Sequence, residues 1–115
     1  MSELQTCLVQ FKDKVNGHPR MRTLLKGWDR VAGVTATDTG AVFTVTFRDS
    51  QIVDVQQGGA ERERELQIEA TEALLVGVFS GATNPASEFL EGRLQVFASD
   101  KDQVKLDAIT LVLWD

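Results

Sequence analysis

The sequence predicts an α+β fold: a five-stranded, mainly antiparallel sheet covered on one face by helices. Two observations predict it. Apolar residues recur at helical spacing at the two ends of the chain and at alternate positions through its middle. The changes of period fall on Gly, Pro, Asn and Asp, the residues that stop helices and turn strands.

Leu4, Leu8, Phe11 and Val15 form one apolar stripe at i, i+4, i+7 and i+11, which predicts a first helix that Gly17 stops. Pro19 is placed at the first position of a short second helix carrying Met21, Leu24 and Leu25 up to Gly27. Val31 to Gln57 is rich in Val, Thr and Phe and is cut at Asp38-Thr39-Gly40 and Arg48-Asp49-Ser50, the pattern of a three-strand meander. In its middle strand Phe43, Val45 and Phe47 face one side while Thr44, Thr46 and Arg48 face the other. In its third strand Val53 and Val55 are assigned inward, which leaves Ile52 outward. Gly58-Gly59 turns the chain into a fourth strand with Leu66, Ile68 and Ala70 inward.

Thr71 reads as the N-cap of a helix carrying Leu74, Leu75, Val78 and Phe79 and closed by Gly81. Asn84-Pro85 opens another short helix, with Phe89 and Leu90 apolar and Gly92 at its end. Arg93–Ala98 is a fifth strand, with Phe97 outward. Ser99-Asp100 caps a last helix whose inward set is Val104, Ala108 and Ile109. Its end, Ala108 to Trp114, is apolar nearly all round. That surplus fits core packing, the lid of an apolar cavity, or a dimer contact.

The 115 residues, 43% of them hydrophobic, suffice for one domain over residues 1–115 with a core that needs no disulfide or metal. A net charge of −5 with scattered Lys and Arg argues against nucleic acid and against a membrane surface held by basic residues. No apolar run approaches the roughly 18 residues of a span, so no stable membrane insertion is expected. Met1-Ser2-Glu3-Leu4 does not start a secretory signal, and Leu113-Trp114-Asp115 is not a peroxisomal address. With a single cysteine, Cys7, the expectation is a cytoplasmic protein.

Catalytic signals are few. One histidine (His18) and one cysteine cannot assemble a His/Cys metal site, and no cofactor motif is present. Gly77-Val78-Phe79-Ser80-Gly81 is Gly-x-x-Ser-Gly, a helix end, and not the Gly-x-Ser-x-Gly of a nucleophile elbow. His18 reads as a surface residue in a turn and Cys7 as a packed thiol. Glu61-Arg62-Glu63-Arg64-Glu65 reads as a solvated edge that discourages sheet pairing.

One stretch is more distinctive. Leu66-Gln67-Ile68-Glu69-Ala70-Thr71 leads into Gly81-Ala82-Thr83-Asn84-Pro85, then Phe89, then Gly92-Arg93-Leu94-Gln95-Val96. This resembles the sterol-carrier-protein-2 lipid-binding family, in a stand-alone, prokaryotic-type form, and the element order matches that family over nearly the whole chain. Two departures are Arg93 where the family often has lysine, and Ala98-Ser99-Asp100 in place of Gly-Asp. The resemblance implies a non-enzymatic carrier with a hydrophobic tunnel between sheet and helices for a fatty-acyl, sterol-like or isoprenoid lipid. The implied lining is Phe43, Val45, Phe47, Val53, Ile68, Phe79, Phe89, Val112 and Trp114. The alternative is a filled-core module that works as a homodimer or docks on a partner enzyme, seeded by Ile52, Phe97 and Trp114.

Overall fold

A computed structural model describes residues 3–58 and 65–114, the side chain of Trp114 excepted. Gly59 and the Glu61–Arg64 part of the charge alternation lie outside the described residues. In chain order the elements are α1 (Glu3–Gly17), α2 (Met21–Leu24), β1 (Arg30–Ala36), β2 (Val42–Arg48), β3 (Gln51–Gln57), β4 (Leu66–Ala70), α3 (Glu72–Ser80), α4 (Pro85–Leu90), β5 (Gln95–Phe97) and α5 (Asp100–Trp114).

The five strands form one sheet in the order β3-β2-β1-β4-β5. β1, β2 and β3 make the antiparallel meander, β4 and β5 pair antiparallel, and β1 and β4 are the single parallel pair. The inward faces carry Ala32, Val34 and Ala36 from β1, Phe43, Val45 and Phe47 from β2, and Leu66, Ile68 and Ala70 from β4. Against them pack Leu4, Leu8, Phe11 and Val15 of α1 and Leu75, Val78 and Phe79 of α3. α1 crosses α3 where Phe11 meets Phe79 edge-on, ring centroids 5.1 Å apart.

The predicted caps form. Thr71 Oγ1 accepts from Leu74 N–H at 3.3 Å, and Gly81 closes α3 in the left-handed region at φ 85°. Asn84 Oδ1 accepts from Ala86 N–H at 2.9 Å, with Pro85 at the first helical position of α4. Ser99 Oγ accepts from Asp102 N–H at 3.2 Å at the start of α5. Pro19, by contrast, precedes its helix. α2 starts at Met21, and Pro19 lies in a turn where His18 Nδ1 accepts from Arg20 N–H at 3.2 Å.

The register of β3 also differs. Val45 pairs with Val55 and Thr46 with Asp54, but Phe47 pairs with Ile52, so Val53 is the extra residue of a bulge. One inserted residue exchanges the two faces of the strand beyond it. Ile52 is therefore 1% exposed inside the core, and Val53 is 37% exposed outside it. Asn16 of α1 holds this point of the edge strand from both sides: its Nδ2 donates to Ile52 O at 2.9 Å and its Oδ1 accepts from Ile52 N–H at 2.8 Å.

The inward face of α5 differs in part from the one its apolar spacing predicts: Ile109 is buried as expected and Ala108 is half-buried. Val104 is exposed, whereas Leu106 and Ile109 pack inward. No described helix is long and apolar enough to cross a membrane.

Candidate functional site

The inward face of the central strand is built from small residues, Ala32-x-Val34-x-Ala36. Helices seated on the larger neighbours of β2 cannot close down onto Ala32, and an apolar gap remains there. The gap is a cavity of about 290 Å3. Its floor is Ala32, Val34, Val45, Phe47, Ile68 and Val96, from four strands. Phe11 of α1 with Val78 and Phe79 of α3 make one wall. Leu94, Leu106 and Ile109 make the opposite one, the last two from α5.

α4 forms the rim. None of its residues is buried, because its six residues span under two turns and stand over the cavity instead of on the sheet. Phe89 and Leu90 line the cavity while 41% and 87% exposed. The mouth is thus between α4 and α5, with Asp107, also exposed, opposite. α4 is tied to the start of β5 by Arg93, whose Nε and Nη2 donate to the two carboxylate oxygens of Glu88 at 2.5 and 3.0 Å. Arg93 also pairs with Glu91. The hydrogen bonds from Arg93 hold the Glu88 carboxyl below its usual range and raise the guanidinium in return.

Behind Phe47, outside the lining of the cavity, stands a polar cluster. Trp28 stacks edge-on against Phe47 at 5.1 Å. Its Nε1 donates to Asp102 Oδ1 at 2.8 Å, and Arg30 Nε lies 3.2 Å from both carboxylate oxygens. Asp102 is 6% exposed. Burial, the largest single influence, would raise its pKa. The hydrogen bonds from Trp28 and Arg30, the Arg30 charge and the Ser99 contact together outweigh it and set the pKa below the ordinary value.

Five of the nine side chains predicted as lining meet in the cavity: Val45, Phe47, Ile68, Phe79 and Phe89. Phe89 stands at the mouth and does not plug α4 onto the sheet. Phe43 is fully buried at the other end of the sheet, where Phe43, Ala36 and Ala70 sit in the packed core outside the cavity. Val112 packs against the core beyond the cavity's end. Val53 is removed by the bulge, and the Trp114 side chain lies outside the described residues. Cys7 is packed, its Sγ 4.0 Å from Val76 O, and burial foremost, then Glu3, raises the thiol pKa.

The sequence reading missed the polar part of the lining. Gln103, Asp107 and Thr110 face the cavity from α5 at i, i+4 and i+7. That spacing is visible in the sequence, but a polar stripe is ordinarily assigned to solvent. The small inward residues of β1 are the other available signal.

An apolar cavity between the sheet and helices of such an α+β domain is the architecture of a small lipid-binding or lipid-transfer domain. The chain belongs to the SCP-2 sterol transfer family, whose model matches residues 9–97. No curated protein matches the sequence. Among solved structures, sterol carrier protein domain 2 of Helicoverpa armigera superposes with a TM-score of 0.70 at 14% identity, covering 95% of this chain and 85% of that one. A crystal structure of sterol carrier protein 2 gives 0.69 at 14% identity over 100% and 96%. The UbiJ-SCP2 ubiquinone synthesis protein gives 0.68 at 15% over 93% and 88%. The fold also recurs as a part of larger chains. A stereoselective inverting sec-alkylsulfatase from Pseudomonas sp. matches with a TM-score of 0.60 at 15% identity over 90% of this chain, which spans 14% of the sulfatase's length.

Proposed function

We propose that this chain is a non-catalytic lipid carrier that holds the apolar chain of a fatty-acyl, sterol-like or isoprenoid lipid in the cavity beneath its sheet. The carrying observation is the cavity itself: about 290 Å3, bounded by apolar side chains on every element that reaches it, with an opening between α4 and α5. That volume is near the lower end of the range of small-molecule sites, about 300–1,000 Å3. Binding is by desolvation. Each methylene moved from water into such a site contributes about 0.8 kcal/mol, and part of the sum is offset by the lost freedom of the chain.

Asp107 is the one titratable side chain among the described lining residues, and binding by desolvation asks for no catalytic group. A cytoplasmic setting fits the buried free thiol of Cys7. A filled-core module that acts by dimerising or by docking on an enzyme is less well supported, since the core is open beneath α4 and Ile52 is inside it.

Native mass spectrometry before and after incubation with fatty alcohols, fatty acids, isoprenoid quinones and sterols tests the proposal. The expected result is one ligand per chain from at least one class. An unliganded spectrum throughout overturns it, and the same spectrum distinguishes a monomer from a dimer.

A further inference from the structure

The cavity is apolar except along one line. Gln103, Asp107 and Thr110 border it from successive turns of α5, with Asp107 exposed at the mouth. Two of these already have a donor in use. Gln103 Nε2 donates to Ala98 O at 3.3 Å, and Thr110 Oγ1 donates to Asp107 O at 2.9 Å. Each keeps an acceptor oxygen, and an ionised Asp107 offers acceptors alone. The polar line thus presents mainly acceptors to whatever occupies the cavity, with the second Nε2 hydrogen of Gln103 as its remaining donor.

No lysine, arginine or histidine lines the cavity among the described residues. Three cations of the surrounding elements are engaged elsewhere. Lys105 Nζ donates to Leu24 O at 2.8 Å, Arg93 is held by Glu88 and Glu91, and Arg30 by Asp102. At the mouth a ligand carboxylate or phosphate would meet the like charge of Asp107, with a single Gln103 N–H to set against it. A headgroup that donates a hydrogen bond and carries no negative charge would be satisfied there.

Resting on the lipid-binding reading, we infer that the site selects lipids with an uncharged, hydrogen-bond-donating headgroup, a long-chain alcohol in simplest form, over anionic lipids, and that Asp107 sets this preference. The tail's burial is common to both classes, so the headgroup decides between them.

Equilibrium dialysis of the full chain at pH 7.5 against labelled 1-dodecanol and labelled laurate, which share a tail length, tests it. The alcohol is expected to bind at least about tenfold more tightly, because like charges juxtaposed at a binding site repel. Asp107→Asn, which keeps the side-chain shape, should narrow that ratio, and Asp107→Lys should reverse it. Laurate binding as tightly as dodecanol, or a ratio unmoved by both substitutions, overturns the inference while leaving the carrier reading intact. Binding of neither ligand to the folded wild-type chain overturns the inference, and an unliganded mass spectrum with quinones and sterols as well overturns the carrier reading.

Discussion

The indole N–H of Trp28 donates a 2.8 Å hydrogen bond to Oδ1 of Asp102, 74 residues further along the chain. The pair joins the segment entering β1 to the first turn of α5, and so fixes the helix that carries the polar line of the cavity. Arg30 completes the cluster, its guanidinium 5.9 Å from the Trp28 ring centre. Asp102 at the start of α5 is also placed favourably for the helix dipole.

Because the folded-state pKa of Asp102 is depressed, its contribution to stability is present above the unfolded-state value, about 3.9 for Asp, and is lost as pH falls through the folded-state value. Asp102→Asn is expected to lower stability at pH 7 by about 1.5–3 kcal/mol, the range for a hydrogen bond to a charged group. The gap between variant and wild type should shrink in acid, once Asp102 is protonated in both states. Urea unfolding at pH 7 and at about pH 3 measures both differences; a gap equal at the two pH values contradicts the assignment.

Asn16 and Ile52 make the second long-range polar contact that the sequence does not advertise. The amide supplies the donor and acceptor that a neighbouring strand would have given the edge at the bulge. Asn16→Ala leaves an N–H and a C=O of Ile52 without this partner and should cost about 1–3 kcal/mol. Asn16→Asp should fall between the two, since it keeps the acceptor and loses the donor. Chemical denaturation of the three proteins gives the order.

What could be read from sequence was what neighbouring residues decide. Thr71, Gly81 and Asn84-Pro85 act within one helical turn, and the alternation of Phe43, Val45 and Phe47 within one strand, so all of these were legible. The face of Ile52 and Val53 depends on which residue of β2 lies opposite, which no local pattern encodes. Phe43 and Val45 share a face, yet only Val45 reaches the cavity, because the cavity lies under one end of the sheet. The α5 face is legible only in part for a related reason: Ile109 follows the apolar period into the core, whereas Gln103 and Thr110 border a gap, where that period assumes packed side chains.

Gly77 gives a case where local propensity and tertiary packing disagree. It lies in α3, so exchange for alanine should by propensity stabilise by about 1 kcal/mol. A Cβ at Gly77 would instead clash with Thr83 Oγ1 and lie 3.1 Å from Thr83 Cβ, while Ala82 and Thr83 N–H both donate to Gly77 O. Gly77→Ala is therefore expected to be destabilising by about 1–3 kcal/mol, the cost of overpacking. The double variant with Thr83→Ala should recover part of the loss. Thermal unfolding of the two single variants and the double closes the cycle, and additive effects would show that the clash is not between these two side chains.

The open and the filled parts of the core respond differently to added volume, and this bears directly on function. Val45 is 3% exposed yet borders the cavity, whereas Phe43, on the same face of the same strand, is fully buried away from it. Enlarging Phe43 to Trp must displace packed neighbours and should destabilise by about 1–3 kcal/mol. Enlarging Val45 to Phe places the new ring in existing space, so its effect on stability should stay within about 1 kcal/mol, since contacts are gained where none are lost. The same ring occupies part of the 290 Å3 needed by a lipid tail and should weaken binding at least about tenfold, equivalent to the burial of roughly two methylenes. Denaturation midpoints with dialysis against labelled dodecanol separate the two effects. A Val45→Phe protein that is as stable as wild type and binds the lipid just as tightly would place the tail outside this cavity.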